Sequence, residues 1–137
     1  MATSDIIVAV RQRFDVQVAQ PNSLTVVYDN GPDPPVETNL WARFTVETDR
    51  PEPVSTAPVR WRIRGRGLAS IHIPQQQGDG PLLDLFAAIE AAFTAVSLPV
   101  PKLQFQRPAL LGPSQMYGGW FRRTARIEFY ADEVGIE

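Results

Sequence analysis

The sequence predicts an α+β domain: a mostly antiparallel sheet of about five strands with two helices packed on one face. Three observations carry this. Strand-period alternation of apolar and polar residues runs through 40–48, 59–73 and 120–131. An apolar stripe at helical spacing occupies 82–96, and a shorter one lies near the start of the chain. The strands come in runs with the helices set apart, in the order α-β-β-β-α-β-β, which favours segregated layers over alternating βαβ units.

The first helix is expected over 4–18. Ser4 is a suitable N-cap, and Ile6, Ile7, Val10 and Phe14 make one apolar stripe opposite Arg11, Gln12 and Asp15. Leu24–Asp29 (LTVVYD) is rich in β-branched residues and runs into Asn30-Gly31, a turn signal. The stretch 32–37 holds three prolines and cannot be a central strand. Leu40–Thr48 alternates, with Leu40, Ala42, Phe44 and Val46 on one face and Trp41, Arg43, Thr45 and Glu47 on the other. The proline-laden link 49–58 reads as an exposed loop.

Val59–Ile73 (VRWRIRGRGLASIHI) is the most informative strand. Val59, Trp61, Ile63, Gly65, Gly67, Ala69, Ile71 and Ile73 share an apolar face that assigns Trp61 to the core. Arg60, Arg62, Arg64, Arg66, Leu68, Ser70 and His72 share the opposite one. Gly65 and Gly67 mark a bend or a close backbone approach. After a loop over 74–80, Pro81 opens the second helix, where its missing N–H costs nothing. Leu82, Leu85, Phe86, Ile89, Phe93 and Val96 carry that helix to Ser97, before Pro99 and Pro101 stop it. The last third reads as a hairpin of 103–111 and 120–131 joined by a loop at 112–119, with a loose acidic tail from Asp132.

The totals narrow the function. At 137 residues the chain fits one domain, and its 44% hydrophobic and 20% charged content is ordinary for a globular protein. A net charge of −2 argues against a generally basic nucleic-acid binder. Thirteen prolines punctuate the extended segments, and twelve arginines stand against one lysine, by genome composition or for planar interface contacts. The absence of cysteine excludes thiolate metal sites and cysteine nucleophiles. MATSDIIVAVRQRF lacks the features of a signal peptide, and no run approaches the roughly 18 apolar residues of a membrane span. A soluble protein made in the cytoplasm is expected.

No catalytic constellation emerges. His72 is the one histidine, on a polar strand face without a nucleophile elbow, and a surface or interface role is expected for it. Asp29, Asp33 and Glu37 crowd one loop but lack the spacing of a calcium loop. Arg64-Gly65-Arg66-Gly67 lies within a strand, and Gly78-Asp79-Gly80 meets Pro81, so neither forms a phosphate cradle. No cofactor, metal or enzymatic activity is predicted.

The arginine stripe 60–66 needs negative charge opposite it. Acidic residues on neighbouring strands (Glu47 and Glu128 are placed for this), an adjacent subunit, and nucleic-acid phosphate are the three candidates. Arg60, Arg62, Arg64, Arg66, His72, Arg122 and Arg126 are therefore the candidate interface residues.

The succession of segments resembles a known family. A short helix precedes VVYDNGP, then PP and LWARFTV, then RWRIRGRG, a glycine-containing loop, the helix LLDLFAAIEAAF, and a final arm opening Gly118-Gly119-Trp120-Phe121. In this order, over nearly the whole chain, it is similar to the tail-terminator proteins of siphophages and related prophages. The resemblance implies a structural virion protein at the tail–head junction. It would form a homo-hexameric ring that caps the tail tube, halts its polymerisation and docks the head-completion (connector) protein. DNA would pass through without specific recognition. A cyclic ring requires heterologous contacts, for which the arginine face and the segments 49–58, 74–80 and 112–119 are candidates. Two other readings remain: another head–tail joining or neck protein, and a small nucleic-acid-binding module using Arg60–Arg66.

Overall fold

The computed structural model describes residues 3–28, 40–56, 59–74, 80–99, 102–117 and 120–134. The fold class is as expected, α+β with, among the described residues, two helices and a mostly antiparallel sheet, here of eight strands.

Helix α1 (Thr3–Phe14) buries Ile6, Val10 and Phe14 of the anticipated stripe, whereas Ile7, its fourth member, is half-buried. It continues as one π-helical turn over Asp15–Ala19, closed by the Gln20 N–H donating to the Asp15 carbonyl at 2.9 Å. Helix α2 (Gly80–Phe93) begins at its proline and buries Leu82, Leu85, Ile89 and Phe93. It stops four residues short of Ser97. Ala95 takes a left-handed conformation (φ 54°), which redirects the chain into a further strand.

The strands are β1 (Thr25–Tyr28), β2 (Trp41–Thr48), β3 (Glu52–Thr56), β4 (Val59–Pro74), β5 (Ser97–Pro99), β6 (Lys102–Phe105), β7 (Ala109–Tyr117) and β8 (Trp120–Val134). Their order is β1-β2-β4-β8-β6-β5, with β3 also on β4 and β7 also on β8. Two long antiparallel strands, β4 and β8, pair over fifteen residues from Arg60↔Val134 to Pro74↔Trp120 and form the spine. At about 3.3 Å per residue the spine is roughly 50 Å long. The β1–β2 pair is parallel, whereas all the others are antiparallel.

Several expectations change. The link 49–58 is not a plain loop, because Glu52–Thr56 pairs with the start of β4, although all five of its residues are exposed. The predicted loop 112–119 is largely strand; a register shift between Leu111 and Gln115, with Gly112 at φ 53°, absorbs the glycine and proline. The tail is not loose at Asp132, which lies in β8 opposite Arg62. Trp61 is only partly buried and stands outside the core, since it falls where β3, β4 and β8 extend towards their Glu52, Val59 and Val134 ends.

Both helices pack on one face of the sheet in a single core cluster that includes Ala42, Phe44, Ile63, Ala69, Ile71, Ile127 and Phe129. Phe14 stacks on Phe44 with ring centroids 4.1 Å apart. The two β4 glycines make room for this layer. A Cβ on Gly65 would lie 2.5 Å from the Glu47 carbonyl oxygen and 2.7 Å from Phe129 Cζ, and one on Gly67 would lie 2.8 Å from Phe44 Cζ. Close approach, the second of the two roles anticipated for these glycines, is the one found.

Candidate interaction face

Alternation places every second residue of β2, β4 and β8 on the face opposite the helices. Cross-strand register orders that face into rows. At one end are Trp41, His72 and Arg122, then Arg43, Ser70 and Thr124, then Thr45, Leu68 and Arg126. Further along come Glu47, Arg66 and Glu128, then Arg64 beside Tyr130, and Arg62 beside Asp132.

The arginine stripe meets carboxylates of its own chain. Arg62 donates to both Asp132 oxygens at 2.7 and 2.9 Å, and its guanidinium lies 4.4 Å from the Tyr130 ring centroid. Arg64 donates to Glu52 at 2.9 Å. Arg66 reaches Glu47 at 3.1 Å and Asp49 at 2.7 Å. The bidentate geometry suits a planar guanidinium. Hydrogen bonding from Arg62 holds the Asp132 carboxyl below its ordinary range despite partial desolvation, with nearby Arg60 and Lys102 acting in the same direction. The Arg62 and Arg66 guanidiniums are pushed up, chiefly by their hydrogen bonds to Asp132 and Asp49. Of the three candidates for neutralising the stripe, the intrachain one accounts for Arg62, Arg64 and Arg66. Glu47 serves as expected. Glu128 stands opposite Arg66 in register, but its carboxylate lies 3.8 Å from Arg126.

The other expected residues separate from this lattice. Arg60 is exposed. A surface or interface role was expected for His72, and it is not on the surface of the chain: it is 2% exposed, stacked at 3.9 Å and 5° on Trp41, itself 4% exposed. The polar register of both residues was legible, whereas their mutual covering depends on β2–β4 pairing. Arg122 and Arg126 lie on the same face as the stripe but nearer its His72 end. Arg43, Asp49, Glu52 and Asp132 belong to the face and were missed as site residues. Arg43 was detectable from its alternation with Phe44; the three acids sat in segments read as loop or tail.

Elsewhere, an open hollow of about 500 Å³ is lined by Val8, Arg11, Gln12, Asp15 and Tyr28. The Tyr28 hydroxyl donates to Asp15 at 3.3 Å, and its pKa is pushed up to about 12, first by burial and then by the Asp15 charge. Among the described residues no group of three His, Cys, Asp or Glu could hold a metal ion, and no helix is long and apolar enough to cross a membrane. Asp29, Asp33 and Glu37 lie outside the described residues, as do 57–58, 75–79 and 118–119 of the anticipated contact loops.

No family model and no curated protein matches the chain. Nine solved chains do. One, of unstated function, aligns over 100% of this chain and 99% of its own with a TM-score of 0.70 and 17% identity. That likeness establishes the fold.

Proposed function

We propose that the chain is a tail-terminator subunit, closing into a hexameric ring on the head-proximal end of a phage tail tube. The ring stops tube growth and presents a docking surface to the head-completion protein, while DNA passes through unread. The observation that supports this most is where the resembling segments fall. The VVY of VVYDNGP lies in β1, LWARFTV runs into β2, RWRIRGRG lies in β4, LLDLFAAIEAAF lies in α2, and Trp120-Phe121 opens β8, while DNGP, PP and Gly118-Gly119 fall outside the described residues. The resemblance thus follows the framework of the fold. A long two-stranded spine with one face free of helices suits a protein whose work is mechanical and whose product is an assembled surface.

The nucleic-acid reading loses its premise at Arg62, Arg64 and Arg66, whose charges already face carboxylates. Double-stranded DNA binding by the isolated chain is expected to be weak at physiological salt. The test is removal of the gene from the phage. The expected outcome is tails of uncontrolled length that do not join heads, restored by the gene supplied in trans. Tails of normal length attached to heads would refute the reading.

A further inference from the structure

We infer that the outer edge of β1 and the hollow beside it form a groove that takes up an extended segment of a partner protein, apolar at every second residue, as an added strand. The groove stands whether or not the chain closes into a ring.

Among the described residues the sheet has four outer strands: β1 and β5 at its two ends, and β3 and β7 beside the long strands. Three of them are guarded against further pairing. β3 contains Pro53 and a register shift beside it, β5 is three residues long and contains Pro99, and β7 breaks its register around Gly112 and Pro113. β1 (Thr-Val-Val-Tyr) has neither proline nor charge, and it pairs with β2 in unbroken parallel register. It has no second neighbour among the described residues. In a parallel strand every second residue turns its N–H and C=O away from the partner, so β1 offers main-chain donors and acceptors on its outer side.

A hollow adjoins that edge on the helix side. Alternation sets Leu24, Val26 and Tyr28 towards the helices, where they pack against the core. The Phe14–Phe44 stack fixes α1 over β2, and Tyr28 meets Phe44 edge-on with centroids 6.3 Å apart. In the corner between α1 and β1 lies the hollow of about 500 Å³ lined by Val8, Arg11, Gln12, Asp15 and Tyr28. Val8, at 57%, is the most exposed large hydrophobic among the described residues. The Asp15 carboxylate is already engaged, accepting from Gln20 at 2.8 Å and from the Tyr28 hydroxyl at 3.3 Å. An occupant therefore meets Val8 and the tyrosine ring, not a charge in want of a partner.

A strand added to β1 would lie about 4.8 Å beyond it, and its helix-side residues, about 6.6 Å apart, would stand over this hollow. Main-chain pairing then gives affinity and the hollow selects the alternate side chains. A second copy fits poorly. Its other outer strands are guarded, so it could offer β1 alone, and β1 against β1 is a self-complementary contact that stops at a dimer. An extended segment of a different protein is the occupant these features select.

The probe is an acetylated peptide of alternating threonine and valine with one central phenylalanine, titrated into the isotope-labelled chain and followed by amide NMR. Saturable shifts are expected at 25–28 and at Val8 and Gln12. Val8→Glu should weaken binding by about tenfold or more while melting within about 2 °C of wild type, because the site is exposed. Two further peptides, N-methylated on alternate residues in the two possible registers, test the main chain. One should bind within about threefold of the parent, and the other, methylated on the side that faces β1, should lose about tenfold or more. No saturable binding up to about 1 mM, shifts centred on another edge, or equal binding of the two methylated peptides would overturn the groove. So would β1 shifts that follow the chain's own concentration without peptide, since a second copy would then be the occupant. None of these outcomes touches the tail-terminator reading, which depends on where the chain sits in the particle.

Discussion

Gly65→Ala probes the packing of the spine against its neighbours. The added Cβ would sit 2.5 Å from the Glu47 carbonyl oxygen on β2 and 2.7 Å from Phe129 Cζ. Ordinary contact begins near 3.4 Å, so the strands must part by roughly 0.9 Å or the ring and backbone must move together. A side chain could turn aside, but a carbonyl held in the β2–β4 ladder cannot. Overpacking of this kind costs about 1–3 kcal/mol. Reduced freedom of the unfolded chain returns about 0.5 kcal/mol, leaving a net loss of about 1.5 kcal/mol from the middle of that range. For a chain of this size that lowers the melting temperature by about 5–8 °C. Gly67→Ala, whose Cβ would press on a Phe44 ring already stacked on Phe14, should act in the same direction. The assay is thermal unfolding followed by circular dichroism, with wild type and both variants under one buffer. A Gly65→Ala protein melting within about 2 °C of wild type would refute the close approach.

Other perturbations separate buried from exposed terms. Phe14→Ala removes a fully buried ring and should cost about 3–5 kcal/mol in urea unfolding. Asp132 has its pKa depressed in the fold, so the unfolded chain binds a proton more readily as pH drops below about 4. Its contribution is present at neutral pH and is lost as pH falls through the folded value. Asp132→Asn should therefore flatten the acid limb of a stability–pH profile, whereas Glu52→Gln, touching an exposed pair, should shift stability by less than about 0.5 kcal/mol. Tyr28 should ionise near pH 12 in a phenolate absorbance titration, its stabilising effect present below about pH 10 and lost on passing to 12. Asp15→Asn should lower that value while the effect of burial, the largest single cause, stays in place.

What was legible in the sequence followed period and polarity. The two faces of 59–73 fell out of strict alternation, and the buried set Ile63, Gly65, Gly67, Ala69, Ile71 and Ile73 matches its apolar side. Both helix stripes were equally plain. What escaped was set by partners distant in sequence. Pro51, Pro53 and Pro58 made 49–58 look like loop, yet an edge position tolerates proline and Arg64 binds Glu52 there. Gly112-Pro113 read as a turn and proved to be a strand irregularity, because β8 is long enough to pair on both sides of it. The end of α2 carried no glycine signal, since Ala95 adopts the left-handed conformation itself. His72 kept its polar register but is buried through Trp41, a pairing only tertiary structure supplies. Asp132 looked like tail because its arginine partner lies seventy residues earlier.

The most direct test of the tail-terminator account is electron microscopy of intact particles with this subunit located by fitted density. The account predicts a sixfold ring between tail tube and head connector, with this fold in each subunit. Particles that lack the chain, or hold it away from that junction, would contradict it.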